Sequence, residues 1–408
     1  MSLEKLNAAL VAEVRALEAE GRAKAPERVI TSYLPPAGKN GPRWKLRGSD
    51  NRFIRMNSNS YLSMSHHPEM IEAADVAARE FGVGPGAVRF IDGSFQHHVS
   101  LESRIAAFMG KPAAKIFNSA YTANLGLALA VQNDETFWIG DALNHNCIIR
   151  AMRISNVPRE HKAIYKHNDM DHLARCLKEI PDDIQRVIII FDGVFSMRGD
   201  NAPMQKIHEL CAPHRERFAQ GLITVVDDSH GIGAYGATGR GTGEYCDSQA
   251  DVVVGTFGKA FGVNGGFVAG TSELVEAVRQ KADTYIYTNP LSVADCAAAD
   301  VSVRLVDGPE GRKRLKQVHE RVAQFREGIE RLVWESIPGP HPVVPLMVRD
   351  TARTRSLVQH FFENGVLVVG LAFPVVPKGD DTIRFQINAC HTEADVDHAL
   401  AALQSFEG

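Results

Sequence analysis

The sequence predicts an α/β protein: a large domain built on a mainly parallel central sheet, followed by a smaller C-terminal α+β domain. Three observations lead there. From about residue 58 to residue 290, short apolar runs alternate with helical stretches. Those runs are apolar at successive positions rather than at every second one, so both faces of each strand need cover, as in a parallel sheet with helices on either side. After residue 290 the alternation stops, and two long helical stretches precede a group of strands.

Taken in order, Leu3, Leu6, Leu10, Val14 and Leu17 recur at helical spacing and predict a helix ending near Gly21, with an apolar stripe that must dock on something. The Pro- and Gly-rich stretch 34–42 reads as a loop leading to a short β segment over 44–56. In the large domain, strands are expected at 114–117, 136–139, 187–191, 222–226, 252–254 and 267–269. Beyond them come helices at 297–306 and 316–332, strands at 343–348, 366–369 and 382–387, and a last helix from Thr392. The expected division is 1–57 for the N-terminal helix and β segment, 58–290 for the large domain and 291–408 for the small one. No internal repeat of the solenoid kind is visible.

Composition narrows the function. Forty-five basic and 49 acidic residues are mixed along the chain for a net charge of −4, which leaves no footprint for nucleic acid. The six cysteines are scattered without a CxxC pair, so neither a zinc site nor a disulfide framework is indicated. The pairs His66-His67 and His97-His98 lack ligand spacing on a helix, and no metal is expected. Gly82, Gly84 and Gly86 are not followed by the strand, helix and acid of a dinucleotide fingerprint. The N-terminal residues carry charges among leucines instead of the apolar core of a secretion signal, and no apolar run approaches the ~20 residues that cross a bilayer. No membrane partner and a cytoplasmic location are therefore expected.

Two segments carry chemistry. The run 252–254 ends in a small-residue turn, Gly255-Thr256-Phe257-Gly258-Lys259. A partly desolvated lysine on such a turn can have its pKa lowered enough to form a Schiff base with an aldehyde, and Thr256 can offer its hydroxyl to a phosphate. The run 222–226 delivers Asp227 and, three residues on, His230. An acid at a strand end can pair with a protonated pyridine nitrogen, and His230 can donate to a phenolic oxygen. Taken singly, each segment is more often an ordinary surface turn. One further strand–helix unit separates them, so both strand ends can open on the same edge of the sheet.

With the rest of the chain, these segments resemble the α-oxoamine synthases, a fold-type I family dependent on pyridoxal 5'-phosphate (PLP). The shared stretches run nearly end to end: Asn59-Ser60-Tyr61-Leu62, Gly82-Val83-Gly84, Val88-Arg89-Phe90-Ile91-Asp92-Gly93, His98 with Leu101-Glu102, and Asp141-Ala142-Leu143-Asn144-His145. They continue through Gly193-Val194-Phe195-Ser196-Met197, Asp227-Asp228-Ser229-His230, Gly239-Arg240-Gly241, the turn to Lys259, and the stretch 374–379. The wording is nearest to that of glycine C-acetyltransferases.

The resemblance implies that an amino acid carbon is acylated by a thioester of CoA or of a carrier protein, on PLP held by Lys259. It implies that His145 stacks on the cofactor ring, that Ser119, Ala120 and Tyr121 cradle the phosphate at a helix N-terminus, and that Ser196 touches the ring from the side. Thr288 and Asn289 correspond to a pair reaching the neighbouring subunit's phosphate, which implies a homodimer with active sites at the interface. Arg384 matches an arginine that grips the substrate carboxylate, and Asn59 is implied in substrate binding. An aminotransferase or aldolase of the same fold would share the lysine without needing a thioester.

The departures lie near the expected pocket. Cys147, Arg150 and Ala151 stand where the family usually has Ser, Asp and Gly, and Arg198 replaces an aspartate after Ser196-Met197. Two acid-to-base changes suggest a positive rim meeting the phosphates of the thioester donor; solvated surface arginines are the plainer alternative.

Overall fold

The structure is a computed structural model and describes residues 2–373, 376 and 379–407. Most of the stretch 374–379 quoted for the resemblance therefore lies outside the described residues. The chain divides into two compact units, Asn59–Gln317 and a second made of Met1–Ser58 with Val318–Gly408.

The larger unit is organised by seven strands: β1 (Ala113–Phe117), β2 (Thr136–Asp141), β3 (Lys162–Tyr165), β4 (Arg186–Asp192), β5 (Leu222–Asp227), β6 (Val252–Thr256) and β7 (Gly266–Gly270). Their order in the sheet is β1-β7-β6-β5-β4-β2-β3. Strands β6, β5, β4, β2 and β3 pair in parallel, and β7 alone runs antiparallel to both its neighbours. The continuous apolar runs have the expected cause: Val187 through Phe191 on β4 are all buried, so side chains on both faces meet protein. Strand β3 was not expected from the sequence. It lies at the sheet edge with only Tyr165 buried, so it needs no apolar run.

The boundary expected at residue 290 moves. The helix Val293–Val306 packs on the helices Pro68–Phe81 and Gln96–Phe108, so the larger unit continues to Gln317 after the strand–helix alternation has ended. The N-terminal segment is not a separate body either. Ile54–Arg55 pairs in parallel with Val366–Leu367, which joins the start of the chain to its end in one unit.

That smaller unit holds an antiparallel sheet with Thr382–Gln386 between Val343–Met347 and Val369–Leu371. Its first helix, Ser2–Ala19, forms as predicted and buries none of its residues; Leu3 and Leu6 are 67% and 54% exposed. Among the described residues no helix is long and apolar enough to cross a membrane.

Candidate active site

Parallel strands deliver their C-terminal ends to one edge, and the chemistry-bearing residues of the larger unit gather there. Asp227 closes β5 and is 5% exposed. Its Oδ2 accepts from Asn124 Nδ2 at 2.7 Å and its Oδ1 from the Ser229 N–H at 3.1 Å. His230 is buried as well, with Nδ1 2.6 Å from the Tyr61 hydroxyl, which also reaches Asn59 Oδ1 at 3.4 Å.

Behind Asp227, the neighbouring Asp228 is clamped by the N–H and hydroxyl of Thr242 at 2.7 and 2.5 Å. Burial pushes its carboxyl up to about 7 despite those donors. A Cβ on Gly193, Gly231 or Gly241 would lie 2.2, 2.1 or 2.0 Å from one of its carboxyl oxygens. Three glycine-bearing loops are thus packed onto a single side chain, which explains why none of them carries a Cβ there.

His145 arrives on the loop after β2 and caps the helix Asn146–Ile154. Its backbone N–H donates to Asp192 Oδ2 at 2.9 Å, and its Nδ1 accepts from the Cys147 N–H at 3.3 Å. An accepting Nδ1 leaves the proton of the neutral ring on Nε2. The ring lines an open face, yet surrounding protein lowers its pKa by desolvation; Asp227 opposes that shift and Lys259 adds to it. Lys259 also acts on buried Asp192, whose carboxyl is held well above the usual range by burial and by Asp227. Lys259, Asp227, His145 and Asp192 therefore share one electrostatic neighbourhood.

The lysine turn is built onto the expected phosphate cradle. The Thr256 hydroxyl donates to the Gly265 carbonyl at 3.0 Å, and Gly265, at φ +116°, bridges to Ser119. A Cβ on Gly266 would fall 2.2 Å from the Ala120 nitrogen. Ser119 caps the helix Ala120–Val131 by accepting from the Thr122 N–H at 3.2 Å, so Ala120 and Tyr121 lie in its first turn, where N–H groups are unused by the helix. Ser196 sits half-buried on the loop after β4. Thr288 is half-buried and Asn289 exposed; the Asn289 carbonyl accepts from Asn118 beside the cradle at 2.8 Å.

Arg384 belongs to the smaller unit, on the middle strand of its sheet, and is half-buried. Arg198 is engaged: its Nε donates to Asp200 Oδ2 at 2.9 Å, which weakens the reading of it as a steering charge. Arg150 is exposed on its helix.

Sequence reasoning passed over Asn124, Tyr61, Asp192 and Ser229. Asn124 had a signal, an amide inside the otherwise apolar helical run Ala123-Asn124-Leu125-Gly126-Leu127. The partners of Tyr61 and Asp192 lie far along the chain, and periodicity does not reveal them; the bond from the Ser229 N–H to Asp227 is local and leaves no pattern either.

The family model described as aminotransferase class I and II matches residues 51–403. The 8-amino-7-oxononanoate synthase of Thermosipho melanesiensis is 36% identical over 86% of this chain and 87% of its own length. The mitochondrial 2-amino-3-ketobutyrate coenzyme A ligase of Bos taurus is 34% identical over 98% of this chain and 92% of its own. The chain belongs to the α-oxoamine synthase family. Among solved structures, the Sphingomonas wittichii serine palmitoyltransferase superposes with a TM-score of 0.87 at 26% identity, covering 97% of this chain and 96% of that one. The protein is accordingly a PLP-dependent acyltransferase of fold type I.

The residues present fit PLP. A buried carboxylate is held at a strand end, a capped helix opens its first-turn amides, and a lysine lies in the same neighbourhood. Two buried polar atoms beside Asp227, Ser229 Oγ and Asn124 Oδ1, have no hydrogen-bond partner among the described residues, as expected where a polar ligand belongs.

Proposed function

We propose that this enzyme transfers the acyl group of a thioester, of CoA or of a carrier protein, to the α-carbon of glycine or another small amino acid, releasing the thiol. The observation that carries the reading is the convergence of Lys259 and Asp227 on His145 and Asp192. PLP, when bound, supplies an electron sink for negative charge at that α-carbon. Asp227 would hold the pyridine nitrogen, and its fixed donors from Asn124 and Ser229 keep the carboxylate aimed. Lys259 would anchor the cofactor and, once displaced by substrate, take and return the α-proton at Nζ. His145, with its proton on Nε2, would stack on the ring and offer a donor to the substrate carboxylate.

Tyr61 orients His230 from one side, and His230 would donate to the ring's phenolic oxygen. Ser119, Ala120, Tyr121 and Thr256 would hold the phosphate, Ser196 the ring edge, and Asn59 and Arg384 the amino acid. In the homodimer we infer, Thr288 and Asn289 serve the neighbouring subunit's phosphate; the uncovered apolar stripe of the helix Ser2–Ala19 supports assembly.

The test is release of free thiol across a panel of amino acids and acyl thioesters. Thiol release that depends on one small amino acid supports the proposal. Transamination of a 2-oxo acid, with no thiol released from any thioester, would overturn it.

A further inference from the structure

One side chain outside these roles is gripped by charge from two sides. His167, in the turn after β3, has Nδ1 3.0 Å from Asp141 Oδ1 and Nε2 3.1 Å from Asp200 Oδ2. Asp141 ends β2, and the loop that follows it delivers His145. Its carboxylate is fully buried and also accepts from the N–H groups of Leu143 and Asn168 at 2.8 and 2.9 Å. Asp200 belongs to the loop that carries Ser196. That loop is closed on itself by the Phe195 N–H donating to the Asp200 carbonyl at 2.9 Å, so Asp200 and Ser196 move together. The Phe195 ring meets the imidazole edge-on, centroids 4.4 Å apart.

Both carboxylates can only accept, so both ring nitrogens of His167 must donate, and only the imidazolium does that. The two acids accordingly push its pKa up to about 9, against burial. The charged groups facing it are Asp141 from the end of β2 and Asp200 from the loop after β4, with Arg198 beyond, sharing Asp200 Oδ2 at 2.9 Å. Lys166, next to it in the chain, is exposed.

We propose that His167 is a positioning residue, a charged strut that fixes the loop delivering His145 against the loop delivering Ser196 and so keeps both sides of the cofactor site in register. The proposal rests on the PLP-site reading above. Arg198 does not share the role, because among the described residues it approaches one carboxylate and ties no second segment.

The experiment compares PLP affinity by equilibrium dialysis, with holoenzyme as the starting material, for wild type, His167→Gln, Asp200→Asn, the double variant and Arg198→Ala. Each of the two strut variants is expected to weaken PLP binding about tenfold at neutral pH, the effect of losing one charge-assisted hydrogen bond. The double variant should be no worse than either single one, since both remove the same interaction. Arg198→Ala should stay within about twofold of wild type. As pH rises through about 9, wild-type affinity should fall towards that of His167→Gln, because the strut needs the imidazolium. Should His167→Gln fail to fold, Asp200→Asn, at a partly exposed loop position, carries the same test.

PLP binding by His167→Gln that matches wild type at neutral pH, or losses that simply add in the double variant, would overturn the strut. Wild-type protein that takes up no PLP overturns the site reading itself and the strut with it. A fall in melting temperature with PLP affinity intact would show His167 to be merely structural.

Discussion

Left-handed backbone is handled differently in two regions of this chain. Around Asp227 it falls on glycines hemmed in by neighbours: Gly233 at φ +75°, where a Cβ would meet Ala260 Cβ at 2.2 Å, and Gly262 at φ +73°, where it would meet the Ser65 nitrogen at 2.6 Å. In the smaller unit the helix Pro309–Arg331 ends instead on Val333, at φ +58° with 92% of its surface exposed. Beside Lys259, both torsion and space exclude a side chain. At Val333 the torsion objects and the space does not, so the strain is local and moves nothing else. Geometry at the strand ends is over-determined, whereas at the margin of the smaller unit it is loosely held.

That contrast ranks the expected effects of mutation. Lys259→Ala should lower turnover by more than about 10³-fold, because in the proposed site one side chain would both anchor the cofactor and move the proton. The visible absorbance of lysine-bound PLP should vanish while far-ultraviolet circular dichroism stays as in wild type. Retained absorbance would place the attachment on another residue. Gly233→Ala comes next, with a loss of about 3 kcal/mol in stability from combined torsional strain and overlap with Ala260. Chemical denaturation measures it, and a loss below about 1 kcal/mol would mean that the loop yields more easily than its packing implies.

Asn124→Ala should be milder. Asp227 loses its 2.7 Å donor but keeps the Ser229 N–H and the Cys147 thiol, 3.6 Å away. PLP affinity should fall about tenfold, with the fold intact. Unchanged affinity would show that Asp227 is aimed without Asn124.

The same contrast decides what the sequence could reveal. Strands β4 and β5 were legible because burial on both faces writes itself as an unbroken apolar run, Asp227 because it ends such a run directly, and Lys259 because it stands on the small-residue turn after one. The edge strand β3 was not, since an exposed face imposes no pattern. His167 depends on acids 26 and 33 positions away in sequence, and no local spacing reports such a pair. The N-terminal helix shows a different limit: periodicity gives the apolar face but not what covers it.

Removing residues 2–20 tests that last point. If the stripe serves subunit association, the truncated protein should shift towards monomer in sedimentation velocity, while its thermal midpoint at high protein concentration changes little, because the helix buries nothing of its own. Unaltered association would leave the stripe without that role.

The smallest effect is expected at Val333, and its sign is opposite. The Trp334 N–H donates to the Ile329 carbonyl at 3.2 Å and the Val333 N–H to that of Glu330 at 3.0 Å, the paired bonds that end a helix through one left-handed residue. Glycine is the usual residue there, and a β-branched side chain is the least suited, because its two γ-carbons crowd the following carbonyl. Val333→Gly removes roughly 1–2 kcal/mol of torsional strain and adds back part of it as backbone entropy in the unfolded chain, a net gain of about 0.5–1 kcal/mol. Little burial is lost, since the side chain is almost wholly exposed. Val333→Ala separates the two contributions: it keeps a Cβ in the left-handed conformation but drops the branch, and should recover less than glycine does. A midpoint for Val333→Gly at or below that of wild type would mean that the valine side chain is held by contacts that offset its strain, and the contrast between the two regions would narrow to the spacing of their neighbours.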